Sequence, residues 1–134
     1  MSIEGTYKEH LAEIEKILEE LREKNREAPI VVEGIKDKIA LQSLGITGEI
    51  ITINAGKSLT DFCDSILARY REIIILTDWD ERGRKICAIL IKNLSGRVKC
   101  NTETRKLLAK YVHVRKVEGL PSWINTIKKK FMEK

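Results

Sequence analysis

The 134-residue chain is predicted to fold as an α/β domain with a mainly parallel, four-stranded sheet flanked by helices. From residue 30 onward, short β-branched and apolar runs alternate with helix-length segments, which is the βαβ order. These runs do not alternate with polar residues, as expected of strands that are buried on both faces. Hydrophobic residues at 43% and charged residues at 34% are typical of a folded chain, and the length suits one domain.

The first 28 residues are predicted to form an amphipathic helix. Apolar residues recur there at intervals of four and three positions and form one stripe along about five helical turns: Tyr7, Leu11, Ile14, Leu18 and Leu21. Such a stripe either covers the body of its own domain or packs against a second copy of the chain. We expect the first arrangement, and a homodimer or a larger partner complex is the alternative.

The elements that follow are assigned from apolar runs and from end signals. Strands are predicted over residues 30–32, 50–53, 73–76 and, on a weaker pattern, 111–114. Helices are predicted over residues 36–44, 59–70, 82–94, 102–110 and 121–132. The chain is thereby divided into an N-terminal helix (1–28), a central α/β domain (29–115) and a basic C-terminal helix packed on the same domain (116–134).

Positive charge is concentrated in the last third of the chain. Residues 97–134 contain eleven Lys and Arg against three Glu, although the net charge of the whole chain is only +5. A basic segment attracts phosphate polyanions, so nucleic acid, either RNA or DNA, is an expected partner. A solvated basic face without a partner is the alternative interpretation.

Several classes of protein are disfavoured by the composition. No apolar run approaches the roughly 20 residues that cross a bilayer, and the acidic N-terminal segment is unlike a signal peptide. Cys63, Cys87 and Cys100 form no CxxC pair, which disfavours a disulfide framework or a structural zinc site. We therefore expect a cytoplasmic protein that has no membrane partner.

Three acidic residues directly follow predicted strands. Glu33 comes after the first strand, and Asp78 and Asp80 follow the third, on one side of an extended segment because strand side chains alternate. Strand-to-helix loops of a parallel sheet emerge at its carboxyl edge, so these carboxylates are expected to converge. Two carboxylates about 4 Å apart repel by roughly 4 kcal/mol at an effective dielectric of about 20, so three need protons, basic partners or a cation.

The predicted cluster has the chemistry of a magnesium site. Oxygen ligands without histidine or cysteine favour Mg²⁺, or alternatively Mn²⁺, over zinc. Mg²⁺ leaves coordination positions for phosphate oxygens, which suits phosphoryl transfer with one or two ions. Taken singly, Asp80 is better explained by N-capping of the next helix, and Glu33 by an ordinary loop position. Their joint placement at two strand ends favours the metal site.

Two motifs of the chain resemble those of Toprim domains. Residues 31–37 (VVEGIKD), followed by residues 39–41 and 44–46, resemble the first Toprim motif, and residues 76–85 (LTDWDERGRK) resemble its DxD motif. The resemblance covers roughly residues 30–115 and implies a Rossmann-like Toprim fold. The chain resembles in particular the small stand-alone Toprim proteins. These are related to the Toprim domains of bacterial-type primases, topoisomerases and the 5S ribosomal RNA maturase.

The resemblance implies roles for the three acids and for one glycine. Glu33 is implied to be a general acid/base or a metal ligand, and Asp78 and Asp80 are implied to coordinate Mg²⁺. These three residues are therefore the predicted catalytic residues and metal ligands. Gly34 is expected to let the backbone turn sharply beside the site.

Three further positions are predicted to have secondary roles. Asp37 matches an acid of primase-like members, or alternatively stabilises the first turn of the helix in which it lies. Lys57 lies in a glycine-containing loop and Arg82 lies beside the two aspartates. Both are candidate contacts to phosphate, with an exposed cation as the alternative.

Two functions follow from these features. The first is a Mg²⁺-dependent enzyme acting on nucleic-acid phosphodiesters, as a nuclease or an RNA-processing enzyme. The second is a non-catalytic module that keeps the metal site and binds nucleic acid or a partner through the basic C-terminal third, with Lys128, Lys129 and Lys130 as the main contacts. Primases carry further acids in the region that corresponds to residues 114–122, but here that region is basic and Glu118 is its single acid. This difference disfavours nucleotidyl transfer as the activity.

Overall fold

The computed structural model describes residues 3–53 and 56–132, with side chains from residue 6 to residue 131 within these ranges. There the helices are α1 Ile3–Lys24, α2 Ile35–Ser43, α3 Leu59–Arg69, α4 Glu81–Leu94, α5 Glu103–Tyr111 and α6 Leu120–Ile127. The strands are β1 Ile30–Val32, β2 Ile50–Thr52, β3 Glu72–Ile75 and β4 Lys99–Asn101. A 3₁₀ turn, Val117–Gly119, precedes α6, and a π-helical turn, Lys128–Met132, follows it. No helix in the described ranges is long and apolar enough to cross a membrane.

The four strands form one parallel sheet in the order β2-β1-β3-β4. Val31 at the centre of β1 lies beside Ile51 of β2 and Ile75 of β3. The predicted α/β fold with a parallel, four-stranded sheet is therefore confirmed. Because all strands run in the same direction, the loops after β1 and β3 leave the sheet side by side at one edge.

Both faces of the sheet are buried, as the uninterrupted apolar runs predict. On one face, Val31 and Ile75 pack with side chains of α3 and α4. On the other face, Ile30, Val32 and Ile74 pack with side chains of α1, α5 and α6. The helices therefore form one layer on each side of the sheet and leave its carboxyl edge for the loops.

The apolar stripe of α1 packs within its own chain. Ile14 and Leu21 are fully buried in the cluster that also contains Leu108 of α5. Tyr7 is half-buried, and its ring stacks on Phe131 with 5.1 Å between the ring centroids. This is the first of the two arrangements expected for the stripe, and the oligomeric state stays a prediction.

The prediction of the fourth strand is wrong. The fourth strand is Lys99–Asn101, which pairs with β3, whereas residues 111–114 form the end of α5 and the loop after it. Val112 and Val114 contribute to the core from that loop, which explains their apolar character without a strand. β4 lies at the sheet edge and its side chains are exposed or half-buried, so it lacks the apolar run by which a buried strand is recognised.

Candidate metal centre

Three carboxylates meet at the carboxyl edge of the sheet. Glu33 directly follows β1, and Asp78 and Asp80 lie in the loop between β3 and α4. β1 and β3 are neighbouring strands, so these two loops are adjacent. Each residue offers one carboxylate oxygen, and the three oxygens lie within 4.8 Å of one another. The predicted convergence is therefore observed, and the role of the three acids as ligands stays a prediction.

Backbone amides hold one oxygen of each carboxylate. The N–H of Asp78 donates to Glu33 Oε2 at 2.8 Å and so joins the two loops. The N–H of Val117 donates to Asp78 Oδ1, and the N–H of Gly83 donates to Asp80 Oδ1, each at 2.8 Å. Among the described residues, no backbone N–H donates to the second oxygen of these carboxylates. Because hydrogen bonds to ionised groups are strong, the acids are oriented before any ligand binds.

Negative charge accumulates in the cluster at an energetic cost. Glu33 and Asp78 are each only 8% exposed. Burial raises the pKa of Asp78 to about 6; the Val117 N–H donor opposes this rise, and the charges of Glu33 and Asp80 add to it. Burial also raises the pKa of Asp37, with a further contribution from the charge of Asp78. A divalent cation among these groups would relieve the cost.

Gly83 packs against the backbone of Asp78. A Cβ at residue 83 would lie 1.9 Å from the Asp78 carbonyl oxygen, so a larger residue requires the loop to move. The hydroxyl of Thr77 donates to the Gly83 carbonyl oxygen at 2.8 Å and closes the same turn. Gly83 does not have a positive φ, so its backbone conformation is open to any residue. Glycine is required here because the Asp78 main chain leaves no room for a Cβ.

Arg105 of α5 supports the loop that carries the two aspartates. Its Nε donates to the Thr77 carbonyl oxygen at 3.0 Å, and its Nη2 donates to the Asp78 carbonyl oxygen at 2.8 Å. The side chain is half-buried. The role of Arg105 is not predictable from the sequence, because its partners are main-chain carbonyls, which every residue has.

Replacing Arg105 by glutamine is expected to lower the free energy of unfolding by about 1–3 kcal/mol, because two main-chain carbonyls lose a charged donor. Urea unfolding followed by circular dichroism measures this change. Lys106→Gln, at the exposed neighbouring position of α5, is the matched control and should change the free energy by less than about 0.5 kcal/mol. Equal effects of the two substitutions would show that the Arg105 contacts contribute nothing to stability.

Residues 114–117, which we call the 114–117 segment, are bound to the same loop. The backbone N–H of Trp79 donates to the Arg115 carbonyl oxygen at 2.9 Å, and its indole Nε1 donates to the Val114 carbonyl oxygen at 2.6 Å. The Val117 N–H, described above, reaches Asp78 from the other end of the segment. Trp79 is half-buried and packs against the core.

The residues predicted to have secondary roles lie at different distances from the cluster. Asp37 is buried and accepts a hydrogen bond from the Gly34 N–H at 3.1 Å, which is the helix-start role expected as one alternative. Arg82 Nε lies 3.9 Å from Glu33 Oε1, with the Arg82 side chain 74% exposed. Lys57 is exposed and lines a cavity of about 280 Å³ beside β2. The phosphate contacts of Arg82 and Lys57 stay predictions.

The chain bends at Gly34, as expected, but the bend does not depend on a conformation that only glycine adopts. Gly34 has φ −147° and ψ −179° and is the N-cap of α2. This extended conformation is open to any residue, so the chain changes direction because α2 begins there. In the loop after β2, Gly56 does adopt a positive φ of 81°, and its neighbours Asn54 and Ala55 lie outside the described residues.

Asp80 caps a helix, and its role as a metal ligand stays a prediction. Its Oδ1 caps the N-terminus of α4 through the Gly83 N–H, and another oxygen remains for the cluster. The donor set is three carboxylates without histidine or cysteine, which fits Mg²⁺ or Mn²⁺ and does not fit a zinc site. The fold and this centre together define an α/β protein with a candidate divalent-metal site at the carboxyl edge of a parallel sheet.

Comparison with known proteins identifies the family. The Toprim domain model matches residues 28–114, so the chain belongs to the Toprim domain family. The chain is 41% identical over 102 residues to the UPF0292 protein of Thermoplasma volcanium, covering 75% of this chain and 86% of that protein. It is 32% identical over 120 residues to the UPF0292 protein of Methanocaldococcus jannaschii, covering 87% and 94%. The predicted division at residues 28/29 and 115/116 stays a prediction.

One solved structure has the same fold. It is a protein from Aquifex aeolicus, which matches with a TM-score of 0.67 and 29% sequence identity. The match covers 77% of this chain and 94% of the Aquifex aeolicus chain. The Toprim resemblance of the two sequence motifs is therefore confirmed by both the family model and the fold.

Proposed function

We propose that the protein is a Mg²⁺-dependent enzyme acting on nucleic-acid phosphodiesters, as a nuclease or an RNA-processing enzyme. The observation that carries the proposal is the convergence of Glu33, Asp78 and Asp80, each oriented by a backbone N–H. Membership of the Toprim family supports it, because Toprim domains generally act on nucleic acids and bind Mg²⁺.

In this proposal Asp78 and Asp80 hold the metal, and Glu33 holds a second ion or accepts a proton. A bound divalent ion lowers the pKa of water and stabilises negative charge on phosphate oxygens. The hydrogen bond from the Asp78 N–H keeps Glu33 at a fixed place beside the loop between β3 and α4. Arg105 holds the main chain of that loop from α5, so it positions Asp78 without contacting the substrate.

A non-catalytic module is the alternative proposal. The chain would then keep the metal centre and bind nucleic acid or a partner through Lys128, Lys129 and Lys130. Lys129 and Lys130 are exposed and support this alternative. Lys128 Nζ lies 3.4 Å from Glu15 Oε1, so part of its charge is already compensated within the chain.

Labelled RNA and DNA, each single-stranded and duplex, test the proposed activity when incubated with the protein and Mg²⁺ or Mn²⁺. We expect metal-dependent cleavage that EDTA abolishes. Glu33→Gln and Asp78→Asn keep an acceptor for the backbone donors, and each should reduce cleavage by about 100-fold or more, because the charge that binds metal or accepts a proton is lost. Glu81→Gln, at an exposed acid of α4, is the matched control and should cleave like the unmodified protein.

The outcomes separate the two functions. Unchanged cleavage by both Glu33→Gln and Asp78→Asn would remove these acids from the mechanism. Binding of nucleic acid without cleavage of any substrate would favour the module, and loss of that binding in Lys129→Ala/Lys130→Ala would place it at the C-terminal lysines.

A further inference from the structure

We propose that Arg115 and Lys116 of the 114–117 segment form a phosphate-binding rim of the metal centre. They would contact the backbone of a nucleic-acid strand whose scissile phosphate lies at the three acids. This inference rests on the proposed function and deepens it, because it locates the strand. It also differs from the alternative, in which Lys128, Lys129 and Lys130 bind the nucleic acid.

The 114–117 segment lies directly beside the loop that carries Asp78 and Asp80. Both ends of the segment are hydrogen-bonded to the loop between β3 and α4, through Trp79 at 2.6 and 2.9 Å and through Asp78 Oδ1 at 2.8 Å. The donors and acceptors within the segment are main-chain groups, while the side chains of Arg115 and Lys116 are exposed. The fold therefore holds two solvated cations directly beside the loop that carries the candidate ligands.

The positive charges of Arg115 and Lys116 are not compensated by nearby acids. Neither Arg115 nor Lys116 has a carboxylate within ion-pair distance in the described part of the chain, whereas three other lysines do: Lys85 with Glu81 at 3.4 Å, Lys99 with Glu72 at 4.0 Å and Lys128 with Glu15 at 3.4 Å. Fixed carboxylates attract a metal ion but repel phosphate, so a strand at the acids needs cations nearby. The two uncompensated cations of the segment meet that need.

The surroundings of the acids favour an extended polyanion. Lys36 is exposed in the first turn of α2, directly after the Glu33 loop, and it has no ion pair among the described residues. Arg82 extends from the start of α4 on the side of Glu33. Together with Arg115 and Lys116, these cations come from three separate elements, which suits a row of phosphates better than one phosphate group.

Binding of fluorescein-labelled RNA and DNA strands, measured by fluorescence anisotropy over a range of NaCl concentrations, tests the rim. The Glu33→Gln background prevents turnover during the measurement. Arg115→Ala/Lys116→Ala should leave the segment in place because its anchors are main-chain groups. At about 0.1 M salt we expect at least about tenfold weaker binding, and a slope of log K against log salt that is smaller by about 1–2.

Lys92→Ala/Arg97→Ala is the matched control. It also removes one lysine and one arginine, both exposed, but at the end of α4 and the turn before β4, on the amino side of the sheet. Its affinity should change by less than about twofold, because cations distant from the strand are largely screened. Circular dichroism of each variant verifies that the fold is retained.

The results also distinguish this inference from the proposed activity. Unchanged binding by Arg115→Ala/Lys116→Ala, or a loss found only in Lys129→Ala/Lys130→Ala, overturns the rim while Glu33-dependent cleavage can still stand. Weakened binding in Arg115→Ala/Lys116→Ala supports the rim even if the unmodified protein cleaves nothing. Tight binding to polyglutamate without binding to any nucleic acid would indicate an acidic protein partner and would overturn the inference.

Discussion

Replacing Gly83 by alanine is expected to lower the free energy of unfolding by about 3 kcal/mol or more, because the added methyl group meets a main-chain carbonyl that cannot rotate away. The Cβ would lie 1.9 Å from the Asp78 carbonyl oxygen, so the loop must shift. That loop carries two of the three acids, and its displacement should weaken Mg²⁺ binding by about 10–100-fold. Urea unfolding and isothermal titration with Mg²⁺ measure the two effects.

Gly96→Ala is the control for the loss of a glycine. Gly96 has φ +91°, and apart from its chain neighbours no described residue has a heavy atom within 4 Å of the position of a Cβ, so alanine there causes backbone strain without a clash. We expect a loss of about 1–2 kcal/mol in the free energy of unfolding and unchanged Mg²⁺ affinity. If the two alanine variants bind Mg²⁺ equally well, the close packing of Gly83 does not position the acids.

Asp78→Asn is expected to stabilise the metal-free protein at pH 7. The pKa of Asp78 is raised by burial to about 6 from its ordinary 3.8, so the folded state disfavours the ionised carboxylate. This difference is worth about 3 kcal/mol at most. Asparagine keeps an oxygen for the Val117 N–H and carries no charge, so it removes the penalty at the cost of a candidate metal ligand.

The direction of the Asp78 pKa shift determines how the effect of Asp78→Asn on stability depends on pH. Because the folded-state pKa is the higher one, the penalty is absent below about pH 4, grows between about pH 4 and 6, and is complete above about pH 6. Unfolding in EDTA at pH 4 and at pH 7 should therefore show a stabilising effect of Asp78→Asn only at pH 7. Asp64→Asn, at an exposed acid of α3, is the matched control and should change the free energy by less than about 0.5 kcal/mol at either pH.

Mg²⁺ should reduce the difference in stability between the unmodified protein and Asp78→Asn. An ion that binds only the folded state stabilises it by about 2.7 kcal/mol at a hundred times its Kd. We expect Mg²⁺ to raise the melting temperature of the unmodified protein and to leave that of Asp78→Asn nearly unchanged. Equal stabilisation of both proteins by Mg²⁺ would show that the ion binds elsewhere.

Much of the centre is predictable because the acids follow strands that are buried on both faces. The apolar runs of β1 and β3 have a clear pattern, and a parallel sheet places the ends of both strands at one edge. Glu33 and Asp78 could therefore be brought together from the sequence alone. The starts of helices are also predictable, because their signals are local in the sequence. Ser58, directly before α3, accepts a hydrogen bond from the Asp61 N–H at 3.1 Å, as is typical of an N-cap serine.

Other features have no local signal. β4 is a short edge strand whose polar side chains carry no apolar period, while Val112 and Val114 imitate a strand although they pack from a loop. Arg105 and the 114–117 segment act through main-chain carbonyls and amides, which every residue possesses. Only the folded structure shows which of these groups meet.

The main-chain origin of the donors that orient the acids affects how the protein can diverge. The N–H groups of residues 78 and 117 donate whatever side chain those positions carry, whereas position 83 is also restricted to glycine by its packing against Asp78. Proline is the exception, since it has no N–H to donate. A lineage of such proteins can therefore vary in the exposed residues around the centre and still keep the same orientation of the three carboxylates.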